Sequence, residues 1–295
     1  MNQLEELSKQ NRENYQRYLK RMTESIRHST KGFLPLLCKE GKRILDVGCG
    51  SGVLLFAVEQ ENPTARLTGL DLNAEAIAQL SKLGGSWELI HDDFMNLSEG
   101  DYDTIVFSSI LHEISSYHSD TSLRFGGVPI RRAIQKCREL LPAGGSIILR
   151  DGVMTDAAEQ NRKAVLRFKN PEEAVWLSRF QADFRGFDAT GVDREVKDLG
   201  NGSFLISKAF LKEFLCTYTW GAESYPREVC ERFGVLTRDE WMAMLSEEGF
   251  SVETVAQSKE EYERFLSESV MITEEDGTPY GYPFMSIIIK AVKRV

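Results

Sequence analysis

The chain has no apolar run approaching the roughly 18 residues that a helix needs to span a bilayer. Charged residues also interrupt its N-terminal stretch throughout, so no signal peptide is expected. The five cysteines, Cys38, Cys49, Cys137, Cys216 and Cys230, form no C-x-x-C pair, and an odd, scattered set argues against a disulfide framework. Reduced thiols of that kind fit a soluble, cytoplasmic protein in which each cysteine is a small buried filler. A basic excess is missing too: 36 Lys and Arg stand against 45 Asp and Glu, a net charge of −9. That balance speaks against broad binding to nucleic acid, which depends on neutralising phosphates. Internal repeats and low-complexity tracts are absent as well. What remains is 295 residues of ordinary globular composition, enough for one large domain or two smaller ones with a full core.

The chain is organised around Arg43-Ile44-Leu45-Asp46-Val47-Gly48-Cys49-Gly50-Ser51-Gly52-Val53-Leu54-Leu55. Ile44, Leu45 and Val47 read as a short buried strand, and the apolar run from Val53 to Val58 reads as the start of a helix. Gly48, Gly50 and Gly52 lie between them, where a sharp strand-to-helix turn needs positive φ and close backbone approach. The helix start offers unpaired N–H groups and the positive end of its dipole to a ligand. Asp46 adds a fixed negative charge at the strand's carboxyl end. An acid there would repel a pyrophosphate, so the loop suits a ligand carrying an amine.

An acidic residue followed by alternating glycines resembles the first motif of the class I S-adenosylmethionine-dependent methyltransferases. The dinucleotide fingerprint G-x-G-x-x-G would need a glycine where this chain has Val53. The resemblance implies an α/β fold, a doubly wound, seven-stranded, mostly parallel Rossmann-like sheet. It also implies S-adenosyl-L-methionine as cofactor, with Asp46, Gly48, Cys49, Gly50 and Gly52 around it. Leu67 to Leu72 reads as a second strand ending in Asp71, 25 residues beyond Asp46. An acid so placed accepts hydrogen bonds from ribose hydroxyls, and Leu72 joins it among the expected cofactor contacts. Asn73 is a good N-cap for the next helix, which leaves Asp71 free for a ligand.

Trp87 to Ile90 is a third strand, and the resemblance then expects an Asp and a small or apolar residue gripping the adenine amino group. Asp93 and Phe94 match that register, while Asp92 reads as a turn former. Tyr102 to Ser109 is a fourth strand. Ile110-Leu111-His112-Glu113-Ile114 after it resembles the leucine–histidine segment of small-molecule O- and N-methyltransferases. Ligands of doubly wound sheets sit beyond the strands' carboxyl ends, so Ser108, Ser109, His112 and Glu113 fall near the transferred methyl. Ser108 is counted with the cofactor contacts. The Asn- or Asp-Pro-Pro-aromatic signature of amide- and adenine-methylating branches is missing. Pro142-Ala143-Gly144-Gly145 leads into a fifth strand whose end carries Arg150 and Asp151, read as substrate-facing or as a surface ion pair.

Four segments follow from this reading. Residues 1–40 form an N-terminal helical lid, or a helix packed at the side, with Tyr15 and Tyr18 as lid candidates. Residues 41–152 form the cofactor-binding core. Residues 153–236 are too long for an unstructured loop and read as a helical cap inserted after the fifth strand, with helices over 157–168, 171–184 and 208–215. Its many aromatics read mainly as core, and Arg179, Arg185, Trp220 and Tyr225 are conceivable substrate contacts. Residues 237–295 supply the last helix and the strands near 249–255 and 286–292 that complete the core.

The function implied is methyl transfer to an O or N atom of a small-molecule acceptor under the cap, a reaction that requires neither a metal nor a covalent nucleophile. His112, Glu113 and Asp151 are the catalytic candidates, and His112 is favoured as base for the near-neutral pKa of an ordinary imidazole. A histidine that only packs or supports is the alternative for His112. No cysteine follows a proline, unlike the attacking cysteine of cytosine C5-methylating enzymes. Three other functions compete. A methyltransferase acting on RNA or protein is opposed by the acidic balance and the missing basic tail. A catalytically inactive nucleoside-binding regulatory protein would keep the same loop. A nicotinamide-dependent dehydrogenase is opposed by Val53 and Asp46.

Overall fold

The first strands of the chain have no polar face. Arg43–Val47 (β1) is buried at its last four positions, Thr104–Ser108 (β4) at its first four and Ser146–Gly152 (β5) at its first six. Strands read this way when helices cover both faces of a parallel sheet. The structure, a computed structural model, describes residues 30–188 and 190–295. Most of the expected N-terminal lid, with Tyr15 and Tyr18, lies outside the described residues. The described part is a 3-10 turn at Thr30–Phe33 and one helical turn, Leu34–Leu37 (α1).

Around the buried strands the chain adds Val53–Glu61 (α2), Arg66–Asp71 (β2), Ala74–Leu80 (α3), Glu88–His91 (β3), Leu111–Ser116 (α4) and Gly127–Leu140 (α5). After β5 come Lys163–Phe168 (β6), Val175–Asp183 (α6), Val196–Gly200 (β7), Ser203–Ser207 (β8), Lys208–Tyr218 (α7) and Gly221–Glu228 (α8). Arg238–Glu247 (α9), Phe250–Ser258 (β9), Glu260–Ser269 (α10), Val270–Glu274 (β10) and Ser286–Lys293 (β11) follow.

Seven strands form one sheet in the order β3-β2-β1-β4-β5-β11-β9. The first five are mutually parallel, and β11 runs antiparallel to both β5 and β9. This is the doubly wound, mostly parallel Rossmann-like sheet the glycine motif implied. One face, with Leu45, Phe107 and Leu149, packs on α5 and α9 through residues such as Ile130, Ile134, Trp241 and Leu245. The other, with Ile44, Val106 and Ile148, packs on α1, α2 and α3 through Leu34, Leu55, Val58 and Leu80. From β1 the chain moves to β2 and β3 on one side, then returns to place β4 on the other. The loops after β1 and β4 therefore part and leave a crevice beyond the strand ends.

The segment expected to be a helical cap is a mixed α/β unit. Four strands form a second, antiparallel sheet in the order β10-β6-β8-β7, and α6, α7, α8 and α10 accompany it. Residues 163–168 were expected in a helix and form a strand instead, because Ala164, Leu166 and Phe168 are buried at every second position. Residues 237–295 do more than complete the core: α10 and β10 belong to the cap, and Val270 in β10 pairs with Phe168 in β6. The aromatics fill the cap's own core, where Phe180 stacks on Phe184 at 4.6 Å and contacts Phe210 and Phe214. At the junction, a Cβ on Gly152 would stand 2.0 Å from the Phe233 carbonyl oxygen, so only glycine lets the cap's returning loop pass that close.

Candidate cofactor and acceptor site

The loop after β1 is held to β2 from below. The Gly48 and Cys49 N–H groups both donate to the Leu70 carbonyl, at 2.7 and 3.0 Å. Gly48, Gly50 and Gly52 take φ angles of +72°, +50° and +72°, where a side chain would be strained. A Cβ on Gly50 would meet nothing closer than the Gly48 carbonyl oxygen at 3.9 Å, so the outer side of the loop has room for a ligand. The Gly50 N–H donates to Asp71 Oδ2 at 2.8 Å, and the Asn73 N–H donates to Asp71 Oδ1 at 2.8 Å. Asn73 itself caps α3 by accepting from the Glu75 and Ala76 N–H groups. Asp71 is therefore a loop-side acid rather than a helix cap.

Asp46 is 3 % exposed, and its Oδ2 has no hydrogen-bond partner among the described residues. Burial, joined by the negative charge of Asp71, pushes its pKa up to about 8, against the pull of Lys31. Burial also raises Asp71, while the N–H groups of Asn73 and Gly50 hold it down. A buried carboxylate oxygen without a partner is costly, and an ammonium group beside it would remove that cost. The Cys49 thiol, buried next to both acids, is raised by burial and stays neutral.

Across the crevice, β4 and β5 end side by side, with Ser108 opposite Arg150. Ser109 takes a φ of +62°, an uncommon state for a residue with a side chain. Its N–H donates to the Arg150 carbonyl at 2.7 Å, and its Oγ accepts from Arg150 Nη1 at 2.6 Å. Asp151 Oδ2 then receives the Leu111 and His112 N–H groups at 2.8 and 3.3 Å, a carboxylate at the start of α4. Its other oxygen, Oδ1, lies 2.6 Å from His112 Nδ1. His112 Nε2 stands 3.4 Å from Glu231 Oε2.

Burial alone would lower the His112 pKa, but the Asp151 and Glu231 carboxylates outweigh it and hold the imidazole well above its ordinary value. Glu113 lies next to this pair and accepts from Arg227 Nη2 at 2.9 Å. Burial, with the Glu231 charge, raises Glu113 to about 7 in spite of Arg227. Arg227 Nε and the Tyr117 hydroxyl both donate to Glu231 Oε1, at 3.2 and 3.0 Å. His112, Glu113, Arg150, Trp220, Arg227 and Glu231 are among the residues lining a crevice between the strand ends and the cap.

Asp46, the three loop glycines, Cys49, Asp71 and Leu72 thus come together, as do His112, Glu113 and Asp151. Leu72 offers its carbonyl to His91 Nε2 at 3.1 Å. Asp93 caps the short turn Phe94–Asn96, its Oδ1 accepting the Met95 N–H at 2.9 Å. The Phe94 ring points into the core, edge-on to Phe107 at 5.4 Å, so only its backbone is left for an adenine. Asp92 forms the turn, accepting from the Asp93 N–H and the Asn96 amide. The alternative of a surface ion pair for Arg150 and Asp151 is excluded, since both are buried and bind different partners. Of the four conceivable cap contacts, Trp220 lines the crevice. Arg179 covers Tyr225 at 4.5 Å, the Tyr225 hydroxyl goes to Asp183 and Arg185 pairs with Asp188 elsewhere.

Sequence reasoning missed Lys31, Arg227, Glu228 and Glu231. The last three stand at i, i+1 and i+4 in an otherwise aromatic-rich segment. Charges so placed can share one helical face, and that was the available signal. The ordinary imidazole pKa that favoured His112 as base is not what its carboxylate neighbours produce. No helix among the described residues is long and apolar enough to cross a membrane.

Residues 45–147 match the family described as a methyltransferase domain. The ubiquinone biosynthesis O-methyltransferase of Cronobacter sakazakii is 30 % identical over 114 residues, covering 36 % of this chain and 41 % of that protein. The ribosomal RNA small subunit methyltransferase C of Salmonella choleraesuis is 32 % identical over 109 residues, covering 36 % of this chain and 30 % of its own length. The chain thus spans less than half the length of these curated relatives. Human N-acetylserotonin methyltransferase, solved with S-adenosylmethionine, superposes with a TM-score of 0.52 at 12 % identity, covering 98 % of this chain and 59 % of that one. The [4+2]-cyclase SpnF superposes with a TM-score of 0.50 at 15 % identity, covering 90 % and 81 %. Likenesses this remote are of fold alone, and a cyclase among them shows that the fold does not fix the reaction. The domain match, by contrast, runs over the strands that carry the glycine loop and its acids, and it identifies residues 45–147 as a methyltransferase domain, consistent with the class I, Rossmann-like family of S-adenosylmethionine-dependent methyltransferases.

Proposed function

We propose that the protein transfers a methyl group from S-adenosyl-L-methionine to an O or N atom of a small molecule held between the strand ends and the cap. The observation that carries this is the orphaned, buried Asp46 Oδ2 on the strand that runs into the open glycine loop, an arrangement suited to a ligand with an ammonium group. In this reading Asp46 holds the amine and Asp71 the ribose hydroxyls. Asp93 with the Phe94 backbone takes the adenine, and Ser108 flanks the methyl. Bound there, the cofactor supplies an electrophilic methyl on a sulfonium, and the protein contributes closeness, alignment and exclusion of water.

On the acceptor side, an amine needs only alignment. A hydroxyl must also lose its proton, and Glu113 and the His112–Asp151 pair face the place where it would be released. The family match ends at residue 147, before the cap, so the curated relatives do not carry over their acceptors. The net charge of −9 gives RNA little to hold.

Calorimetry with S-adenosylmethionine and with NAD tests the cofactor. Tight binding of the first and none of the second is expected; no preference for the sulfonium ligand would end the proposal. Methyl-labelled cofactor, offered with separated metabolite, RNA and protein fractions, tests the acceptor class. Label is expected in the metabolite fraction, and label only in RNA or protein would replace the small-molecule reading.

A further inference from the structure

We propose that His112, Glu113, Glu228 and Glu231 form a binding site for one divalent first-row transition-metal cation at the acceptor end of the crevice. One ring nitrogen of His112 and one oxygen each of Glu113 and Glu231 lie within 4.8 Å of one another. Ligands on opposite sides of such an ion, each bonded at about 2.1 Å, stand at most about 4.2 Å apart. Movements of a fraction of an ångström therefore suffice to close these three on a common point. The 3.4 Å between His112 Nε2 and Glu231 Oε2 is long for a hydrogen bond. It is close to the about 3 Å that neighbouring ligands of one ion keep at that bond length.

Each of these side chains is oriented by an outer partner that leaves a donor atom over. Asp151 holds His112 Nδ1 at 2.6 Å, the carboxylate–histidine arrangement that turns the other ring nitrogen toward a metal. Tyr117 and Arg227 occupy Glu231 Oε1 and leave Oε2. Arg227 occupies Glu113 Oε1 and leaves the second oxygen of that carboxylate.

Glu228 is the independent observation. It is 2 % exposed and lines the same crevice, and its Oε1 has no hydrogen-bond partner among the described residues. The charges that act on it are those of Glu231, Arg227, Glu113 and His112. A third acid buried against two others, with an oxygen unsatisfied, leaves a place for a cation. One imidazole with two or three carboxylates suits Mn²⁺, Fe²⁺ or Zn²⁺ better than Mg²⁺ or Ca²⁺, which take oxygen ligands.

The binding site stands whether or not methyl transfer does. If the proposed transfer is to a hydroxyl, an ion here would bind the acceptor oxygen and lower its pKa, easing the loss of the proton.

The test uses the full chain, stripped with a chelator and titrated with MnCl₂, free Mn²⁺ being read by electron paramagnetic resonance. One Mn²⁺ per chain is expected, with Kd in the micromolar range. Glu228→Gln should weaken binding at least tenfold, as should His112→Asn, while Asp239→Asn at an exposed site should leave it unchanged. Thermal scans separate ligation from folding. Mn²⁺ should raise the melting temperature of the wild type but not of Glu228→Gln, whose metal-free form should melt no lower than the wild type. No stoichiometric binding by the wild type at millimolar Mn²⁺, or binding that Glu228→Gln leaves intact, overturns the proposal. Calorimetry with S-adenosylmethionine on the same sample keeps the two readings apart. Cofactor bound without metal removes this site alone; metal bound without cofactor removes the methyl-transfer reading alone.

Discussion

Replacing Asp46 by asparagine separates what this residue costs the fold from what it does for a ligand. The carboxyl is buried and its pKa is raised from 3.8 to about 8. An acid with a raised pKa keeps its proton in the folded chain at pH values where the unfolded chain has released it. Stability then falls as pH rises between the two values, here from about 4 to about 8, and the loss is complete above the folded pKa. At pH 7 the interval is 7 minus 3.8, or 3.2 units, which at about 1.4 kcal/mol per unit is a ceiling of about 4 kcal/mol. Asparagine has no charge to desolvate but still buries an amide, so only part of this is recovered. A gain of about 1–3 kcal/mol at pH 8 is expected, a rise of roughly 2–8 °C in melting temperature for a domain of this size.

The assay is thermal or urea unfolding of both proteins from pH 4.5 to 8.5, with S-adenosylmethionine affinity measured at pH 8. The stability difference should be near zero at the acid end and widen with pH in favour of Asp46→Asn. Cofactor affinity should move the opposite way, at least 30-fold weaker, which corresponds to about 2 kcal/mol. A variant less stable than the wild type across the whole range would refute the burial argument. Unchanged affinity would refute the assignment of the orphaned oxygen to the cofactor's amine.

Three further substitutions test other parts of the structure. Asp71→Asn should weaken S-adenosylmethionine binding at least tenfold in calorimetry, because it alters both the proposed ribose acceptor and the carboxylate that receives the Gly50 N–H; wild-type affinity would mean that the ribose lies elsewhere. Gly152→Ala places a Cβ 2.0 Å from the Phe233 carbonyl oxygen, and overpacking of that kind should cost about 2 kcal/mol or more in urea unfolding. Phe180→Ala empties the centre of the cap's aromatic core and should cost about 3–5 kcal/mol; a loss below about 1 kcal/mol would mean that the cap core is loosely packed.

The cofactor half was legible because its information is local. Asp46, the glycines and Asp71 belong to one strand–helix–strand unit, and the loop's φ angles demand glycine at three positions whatever the rest of the chain does. Asn73 gave the same help, since a good N-cap next door leaves Asp71 for other work. The cap was less legible for two physical reasons. Alternating burial in residues 163–168 is a strand's period, but apolar residues are dense enough there to fit a helix also. Its pairing partner β10 lies about a hundred residues further on, so no local pattern joins the two. The acceptor half was legible in part. His112, Glu113 and Asp151 stand at strand ends where sheet topology gathers them, whereas Glu231 and Arg227 reach them only because the cap folds back.

That return explains why the core's acids can be buried at all. Asp151 belongs to β5 and Glu113 to α4 just after β4, and each would be an expensive buried charge if it faced only core atoms. Asp151 is compensated locally by His112 and holds its pKa below the usual carboxylate value despite its burial. Glu113 has a weaker pull from His112 and depends more on Arg227, which arrives from α8. The same guanidinium acts on Glu231 and also, at longer range, on Asp71 at the end of β2. One cap arginine therefore feels both halves of the crevice.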